Sequence, residues 1–162
     1  MKTLLALIDF SDATAQIIDR THELAKAFGS DVVLMNVMPP WPVAVDLSPL
    51  PDPDPFHERQ RQLFALRDSL SERDVKVTAL EFEGSVLDCL LDQVDLLKPD
   101  MIIMGSHAHG SLYNLIVGSV TAGVIRQAPC PVLLIPKEPA PVPDPGRPIA
   151  DPGTMGVSPA FV

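Results

Sequence analysis

Five short apolar runs, separated by stretches with helical periodicity, constrain the fold of this chain more than any other feature. The runs occupy residues 3–8, 32–37, 75–82, 101–104 and 132–135. Most of them are continuous rather than alternating, which is typical of strands that are buried on both faces. The four intervening segments repeat apolar residues every three or four positions, as amphipathic helices do. The order β-α-β-α-β-α-β-α-β therefore predicts an α/β fold, a single domain with a doubly wound five-stranded parallel sheet and helices on both faces.

Capping residues mark where several of the predicted helices begin and end. Ser11 or Asp12 is expected to be the N-cap of the first helix, because a short polar side chain can accept hydrogen bonds from the free N–H groups of the first helical turn. Gly29 stands where the same helix should end, a position that favours glycine. Ser85 is the expected N-cap of the third helix.

Two proline-rich segments interrupt this regular alternation. Residues 39–55 contain seven prolines and the chain's tryptophan, Trp41. This density predicts a long loop, either a variable surface connection or a lid beside the ligand crevice. Residues 137–162 contain another seven prolines and little apolar periodicity. We therefore predict a folded domain over residues 1–136 and a flexible tail over 137–162.

The charge of the chain bears on its partners. The formal net charge is −9 and the isoelectric point is about 4.7. A negative surface repels a phosphate backbone, so a nucleic-acid partner is not expected, although local N–H groups can still hold a small nucleotide. The apolar stretch at the N-terminus is interrupted by Asp9, which argues against a signal peptide or a membrane span. These features favour a cytoplasmic protein.

The segment from residue 101 to residue 121 combines a strand, a loop and the start of a helix. Its apolar run stops at Gly105, a loop rich in Gly, Ser and His follows, and Gly118-Ser119 opens the last helical pattern. Glycine lets the backbone approach a ligand closely, and N–H groups at a helix N-terminus attract anions. The segment lacks the Gly-Lys-Ser/Thr of a Walker loop, and its glycines are too far apart for a Rossmann fingerprint. It therefore predicts a phosphate site of another type.

This loop resembles that of the universal stress protein family, whose pattern is Gly-x2-Gly-x9-Gly-Ser/Thr. The spacing here is Gly105-x2-Ala108-x9-Gly118-Ser119, with Ala108 in place of the middle glycine. Further matches are the opening Leu-Leu-Ala-Leu-Ile-Asp-Phe-Ser, Val-Leu-Met-Asn-Val at 33–37, and Ala-Pro-Cys-Pro-Val at 128–132. The resemblance covers roughly residues 1–136 and implies the strand order 3-2-1-4-5.

The resemblance also implies a set of nucleotide-binding residues. Asp9, with Phe10 and Ser11 after it, would lie near the adenine and ribose, although Asp9 could instead only cap the first helix. The backbone of Val37 would meet the adenine, unless this valine belongs only to the core. The phosphates would be surrounded by the following residues: Gly105, His107, Ala108, His109, Gly118, Ser119, Val120 and Thr121. Ser119 is also expected to be the N-cap of the fourth helix.

Two features of the loop modify this expectation. Alanine at position 108 costs on the order of 1 kcal/mol if the family's glycine has a positive φ, which would weaken binding without abolishing it. His107 and His109 form a His-x-His pair, but no further ligand completes a metal site around them. We therefore interpret both histidines as loop residues near a phosphate.

The resemblance as a whole implies a cytoplasmic universal stress protein that binds ATP with Mg²⁺ and acts as a nucleotide-dependent stress-response regulator rather than an enzyme. It further implies a homodimer whose last strands, Val132–Ile135, pair edge to edge. Two alternatives stay open. One is a nucleotide-free dimeric interaction module, and the other is a weak ATP hydrolase, which the absence of Lys or Arg between Gly105 and Val120 disfavours. The tail would either contact a protein partner or have no role.

Overall fold

The computed structural model describes residues 1–38, 55–106 and 118–136. Strands and helices alternate along these residues in the predicted order. In chain order the elements are β1 (Thr3–Leu7), α1 (Thr14–Phe28), β2 (Asp31–Met38), α2 (Pro55–Glu72), β3 (Val77–Glu83), α3 (Val86–Leu97), β4 (Met101–Gly105), α4 (Ser119–Gln127) and β5 (Val132–Ile135).

The strands form one parallel sheet with the order β3-β2-β1-β4-β5, which confirms the predicted fold class and strand order. β1 lies at the centre, where Ala6 pairs with Leu34 of β2 on one side and with Ile103 of β4 on the other. The chain leaves β1 towards β2 and β3, and returns to β4 and β5 on the opposite side. The direction of winding therefore reverses between β1 and β4, which is where such sheets bind ligands.

Alternate residues of the strands feed two separate cores. Leu4, Ala6 and Ile8 pack into a first core cluster that also contains buried residues of α1 and α2. Leu5 and Leu7 face the other way, into a second core cluster built with α3 and α4. Both faces of β1 are therefore covered by helices, which is why its sequence is a continuous apolar run.

The capping predictions had mixed outcomes. Ser85 is the N-cap of α3, where its hydroxyl accepts from the N–H of Asp88, and Gly29 ends α1 with a positive φ of 59°. The prediction for the start of α1 was wrong, because the N-cap is Ala13 and no side chain caps it. The hydroxyl of Ser11 instead accepts from the N–H of Ala13 at 3.3 Å, inside the turn that precedes the helix.

The two cysteines are free, half-buried thiols that pack against the second core cluster. Burial raises the pKa of the Cys130 thiol, and the nearby charge of Asp100 raises it further. Less thiolate forms at neutral pH as a result, and the thiol is correspondingly less nucleophilic.

Several predictions fall on residues outside the described ranges. They concern the proline-rich segment up to residue 54, the loop over 107–117 and the tail over 137–162. The domain boundary at residue 136 stays a prediction. Within the described part of the chain, no helix has the length and apolar character needed to cross a bilayer.

Candidate functional site

The ends of β1 and β4 form the floor of the candidate site. Ala6 pairs with Ile103, so counting two residues along each strand places Ile8 beside Gly105. Ile8 is held from the other side, because its N–H donates to the carbonyl oxygen of Met35 at 2.8 Å. The first residue after β4, Ser106, donates its N–H to Ile135 of β5 at 3.0 Å. Hydrogen bonds to the neighbouring strands therefore fix both chain segments as they leave the sheet.

Asp9, Phe10 and Ser11 form a tight turn at this edge. The Oδ1 atom of Asp9 accepts from the N–H of Ser11 at 3.0 Å, and Phe10 has a positive φ of 56°. This left-handed conformation costs roughly 1–2 kcal/mol for a residue with a side chain. The ring of Phe10 packs on the first core cluster, which offsets part of that cost. Asp9 is exposed and lies well before Thr14, so it holds the turn rather than capping α1.

Val37 and its neighbour Asn36 supply the adjacent part of the site from β2. Val37 is 7% exposed as a whole residue and its side chain belongs to the second core cluster, so a contact with a ligand would have to come from its main chain at the end of β2. Asn36 is 1% exposed, and its Nδ2 donates to the carbonyl oxygen of Ile8 at 2.7 Å. This bond joins the ends of β1 and β2. The sequence analysis did not predict this hydrogen bond, although an asparagine inside an otherwise apolar run indicates a buried amide that needs a partner.

The start of α4 supplies backbone donors that have no acceptor within the helix itself. Gly118 is the N-cap, with φ −57° and ψ 156°, and Ser119 is the first helical residue. The prediction that Ser119 caps the helix was therefore wrong, because the helix starts one residue earlier in the Gly-Ser pair than expected. The N–H groups of a first helical turn have no acceptor within the helix, and the helix dipole adds positive potential there.

The side chains of this first turn differ in what they can offer. Ser119 is exposed, whereas Val120 is half-buried against the second core cluster and Thr121 is 3% exposed. Ser119 can therefore present a hydroxyl to a ligand. Val120 and Thr121 can contribute through the backbone.

The structure brings most of the predicted residues to one edge of the sheet. Asp9, Phe10, Ser11, Val37 and Gly105 lie at or just beyond the carboxyl ends of β1, β2 and β4. The first turn of α4 lies at the same edge, because α4 runs back from there to the start of β5. The predicted contacts of His107, Ala108 and His109 lie outside the described residues.

The chemistry of this edge suits an anion next to a polar heterocycle or sugar. The first turn of α4 brings backbone N–H groups and the Ser119 hydroxyl to this edge, and the turn after β1 brings the Asp9 carboxylate. Among the described residues, no group of three or more His, Cys, Asp or Glu side chains is arranged to hold a metal ion. The edge thus offers positioning and electrostatic attraction, which are the requirements of nucleotide binding.

Comparison with known proteins assigns the family. The chain matches the Universal stress protein family over residues 1–136. It is 28% identical to the universal stress protein Sll1654 of Synechocystis over 137 residues, which cover 83% of this chain and 85% of that protein. The solved structure of hypothetical protein MJ0577 has a TM-score of 0.69 at 21% identity, and the match covers 86% of this chain and 98% of that one. The universal stress protein from Archaeoglobus fulgidus, solved in complex with dAMP, has a TM-score of 0.59 at 21% identity and covers 83% and 97%. The sequence pattern, the 3-2-1-4-5 sheet and these matches together show that the chain belongs to the universal stress protein family.

Proposed function

We propose that this protein binds ATP with Mg²⁺ at the carboxyl edge of β1 and β4 and acts as a nucleotide-dependent stress-response regulator rather than an enzyme. The observation that carries the proposal is the meeting of two features at one edge. The first turn of α4 presents backbone N–H groups, and the Asp9 turn presents a carboxylate. The first suits phosphates, and the second suits a ribose hydroxyl or an adenine amine.

The dAMP complex of the Archaeoglobus fulgidus protein supports an adenine nucleotide as the ligand class. In this chain the adenine and ribose would lie between the Asp9 turn and the main chain of Val37. The phosphates would lie over Gly105 and the start of α4, with His107, Ala108 and His109 closing around them. An acidic chain can hold such an anion because the local donors act at close range, where distant charges are screened.

Mg²⁺ would come with the nucleotide rather than from a protein cage. It is commonly held by phosphate oxygens, waters and one or two protein oxygens. The exposed hydroxyl of Ser119 would contact a phosphate or a metal-bound water. The described residues suit this arrangement, since Ser119 is exposed at the start of α4 and offers a hydroxyl oxygen.

Calorimetric titration of ATP-Mg²⁺ into the full-length protein, alongside Ala108→Gly, tests the proposal. Micromolar binding by the wild type is expected, with binding up to about tenfold tighter in the glycine variant. Ala27→Gly, in α1 at the opposite edge of the sheet, is the matched control and should leave affinity unchanged. Binding by the Ala108→Gly variant alone would mean that one methyl group disables the site, and no binding by either protein would refute the proposal.

A homodimer through Val132–Ile135 is the second part of the proposal. β5 is an edge strand, and Val132, Leu133 and Leu134 on it are half-buried rather than fully covered. A short apolar edge strand is suited to pairing with a second copy. Sedimentation equilibrium should give a dimer for the wild type and a monomer for Val132→Lys, with circular dichroism showing that the variant is folded. A monomeric wild type would refute it.

The alternative classes make different predictions. A nucleotide-free interaction module would dimerise without binding ATP in the calorimeter. A weak hydrolase would release phosphate over multiple turnovers and lose this activity in Asp9→Ala. We further propose a cytoplasmic location and a tail that is dispensable for the fold. Deleting residues 138–162 should then leave the oligomeric state and the nucleotide affinity unchanged.

A further inference from the structure

Two paired residues on the face of the sheet that α1 and α2 cover carry three buried oxygen atoms. These atoms are Oδ1 of Asn36 and the two carboxyl oxygens of Glu81. None of them accepts a hydrogen bond within the described part of the chain. Buried polar atoms are nearly always paired, so a group of three without donors calls for a physical explanation.

The sheet register places these oxygens next to each other. Asn36 of β2 and Glu81 of β3 are direct partners in the parallel pair, on strands that lie about 4.8 Å apart. Both side chains point to the same face, since Val77 and Ala79, at even spacing from Glu81, pack on the first core cluster. The Nδ2 of Asn36 is already used by the carbonyl oxygen of Ile8. Oδ1 of Asn36 therefore needs a donor from outside its own amide.

The groups of α2 that act on Glu81 leave Oδ1 of Asn36 without a donor. α2 packs over β3 and brings Arg59 and Gln60 towards the carboxyl group. Burial is the largest influence and raises the pKa of Glu81, while the amide of Gln60 and the charge of Arg59 act in the opposite direction. The net effect is a raised pKa, so the carboxyl keeps its proton to a higher pH than an ordinary glutamate, and a protonated carboxyl carries an O–H donor.

We propose that Glu81 and Asn36 form a proton-held pair that positions the ends of β1 and β2 for the nucleotide. In this pair the Glu81 carboxylate takes up a proton from solvent and keeps it, and the resulting O–H donates a hydrogen bond to Oδ1 of Asn36, while Nδ2 of Asn36 donates to the carbonyl oxygen of Ile8. On deprotonation the proton returns to solvent, and Asn36 loses one of the two hydrogen bonds that hold its side chain. The nucleotide part of this inference rests on the proposed function, whereas the proton-held pair does not.

The pair is adjacent, along the chain or through a hydrogen bond, to two residues of the candidate site. Asn36 precedes Val37, whose main chain would meet the adenine, and Ile8 precedes Asp9. Through its hydrogen bonds, Asn36 would therefore connect the protonation of Glu81 to the positions of both strand ends. Neither Asn36 nor Glu81 touches the proposed ligand, so both are positioning residues. A change in the protonation of Glu81 should alter nucleotide affinity without removing any contact.

The first test measures the proton on the wild-type protein. The carboxyl ¹³C shift of Glu81 should titrate above about 4.3, the ordinary value for glutamate. Titration at or below that value would overturn the proposal, and this measurement does not depend on whether any variant folds.

The second test compares unfolding by urea between pH 4 and pH 8 in the wild type, Glu81→Gln and Glu83→Gln. Because the folded pKa is raised, the stabilisation is complete below about 4.3 and is lost as the pH rises through the folded value. Glu81→Gln keeps a donor at every pH, so its midpoint should exceed that of the wild type increasingly towards pH 8. Glu83, exposed on the same strand, is the matched control. Parallel pH curves for all three proteins would overturn the proposal.

The third test asks whether the pair acts on the nucleotide. ATP affinity of the wild type should fall relative to Glu81→Gln as the pH rises from 5 to 8, and the Glu83→Gln variant should follow the wild type. An identical pH profile in Glu81→Gln would overturn the positioning role. If the wild type binds no nucleotide at any pH, the proposed function fails, and the proton-held pair is judged by the titration and unfolding results.

Discussion

The side-chain amide of Asn36 donates to the main-chain carbonyl of Ile8 at 2.7 Å and ties the end of β2 to the end of β1. The two residues are 28 positions apart in the sequence and both are fully buried. Ile8 also donates its own N–H to Met35, so both of its backbone polar groups are bound by the neighbouring strand. The turn that carries Asp9 therefore begins from a fixed point.

Asn36→Asp should destabilise the protein by about 2 kcal/mol at neutral pH. The aspartate has the same shape but loses the donor to Ile8, and it brings a second carboxyl group next to Glu81. The free energy of unfolding in urea measures the effect. Gln127→Glu, the same amide-to-acid change at an exposed position, should stay within about 0.5 kcal/mol of the wild type. Equal midpoints for both variants would show that the bond to Ile8 contributes little.

Asp100 should contribute stability that disappears in acid. Its Oδ2 accepts from the N–H groups of Lys2 at 2.6 Å and Thr3 at 2.9 Å, and these bonds lower the pKa of the carboxyl. The stabilisation is therefore present above the unfolded value of about 3.9 and is lost as the pH falls through the folded pKa. Asp100→Asn should be less stable than the wild type at pH 7 and equal to it at the acid end of a pH series.

Unfolding curves of the wild type and Asp100→Asn between pH 2 and pH 7 measure this difference. Asp92→Asn, at an exposed position on α3, should track the wild type across the series. A gap between Asp100→Asn and the wild type that stays constant with pH would contradict the assignment, because a constant gap means that charge is not involved.

The parts of the fold that could be predicted are those where one local pattern determines the outcome. β1 is buried on both faces, and its run of apolar residues is continuous for that reason. Gly29 ends α1 in the left-handed region, where glycine has no steric cost. The strand order could not be predicted from a local pattern, because periodicity carries no information on which strands are neighbours. It was predicted from the resemblance to the family.

The parts that could not be predicted depend on contacts between distant segments, or on which of two hydrogen-bonding roles a single side chain takes. Ser11 has the right side chain for an N-cap, but its hydroxyl is used in the turn and Ala13 takes the capping position. The left-handed conformation of Phe10 is unexpected for an aromatic residue. Part of its energetic cost is offset by packing on a core that forms only in the folded state. The bond between Asn36 and Ile8 likewise requires the finished sheet.

Gly123 of α4 lies close to the side chain of Leu87 on α3. A Cβ atom at this position would lie 2.6 Å from Cδ2 of Leu87 and 3.0 Å from its Cδ1. Gly123→Ala should therefore cost about 1–3 kcal/mol, despite the gain of about 1 kcal/mol that alanine gives a helix interior. In a Leu87→Ala background the same change should be neutral or stabilising, because the clashing atoms are gone. Additive losses in the double variant, measured by urea unfolding, would contradict this explanation.

Asp9 and Ser119 should contribute to different parts of the ligand, and comparing adenosine with ATP separates them. Asp9→Ala should weaken both ligands by about tenfold, since the carboxylate would contact the nucleoside. Ser119→Ala should weaken ATP but leave adenosine unchanged, since its hydroxyl lies at the start of α4 beside the proposed phosphates. Calorimetry with both ligands measures the pattern, and Ser71→Ala, an exposed serine near the end of α2, is the control. An equal loss of adenosine binding in Ser119→Ala would place the nucleoside rather than the phosphates at the start of α4, and the orientation proposed for the nucleotide would have to be reversed.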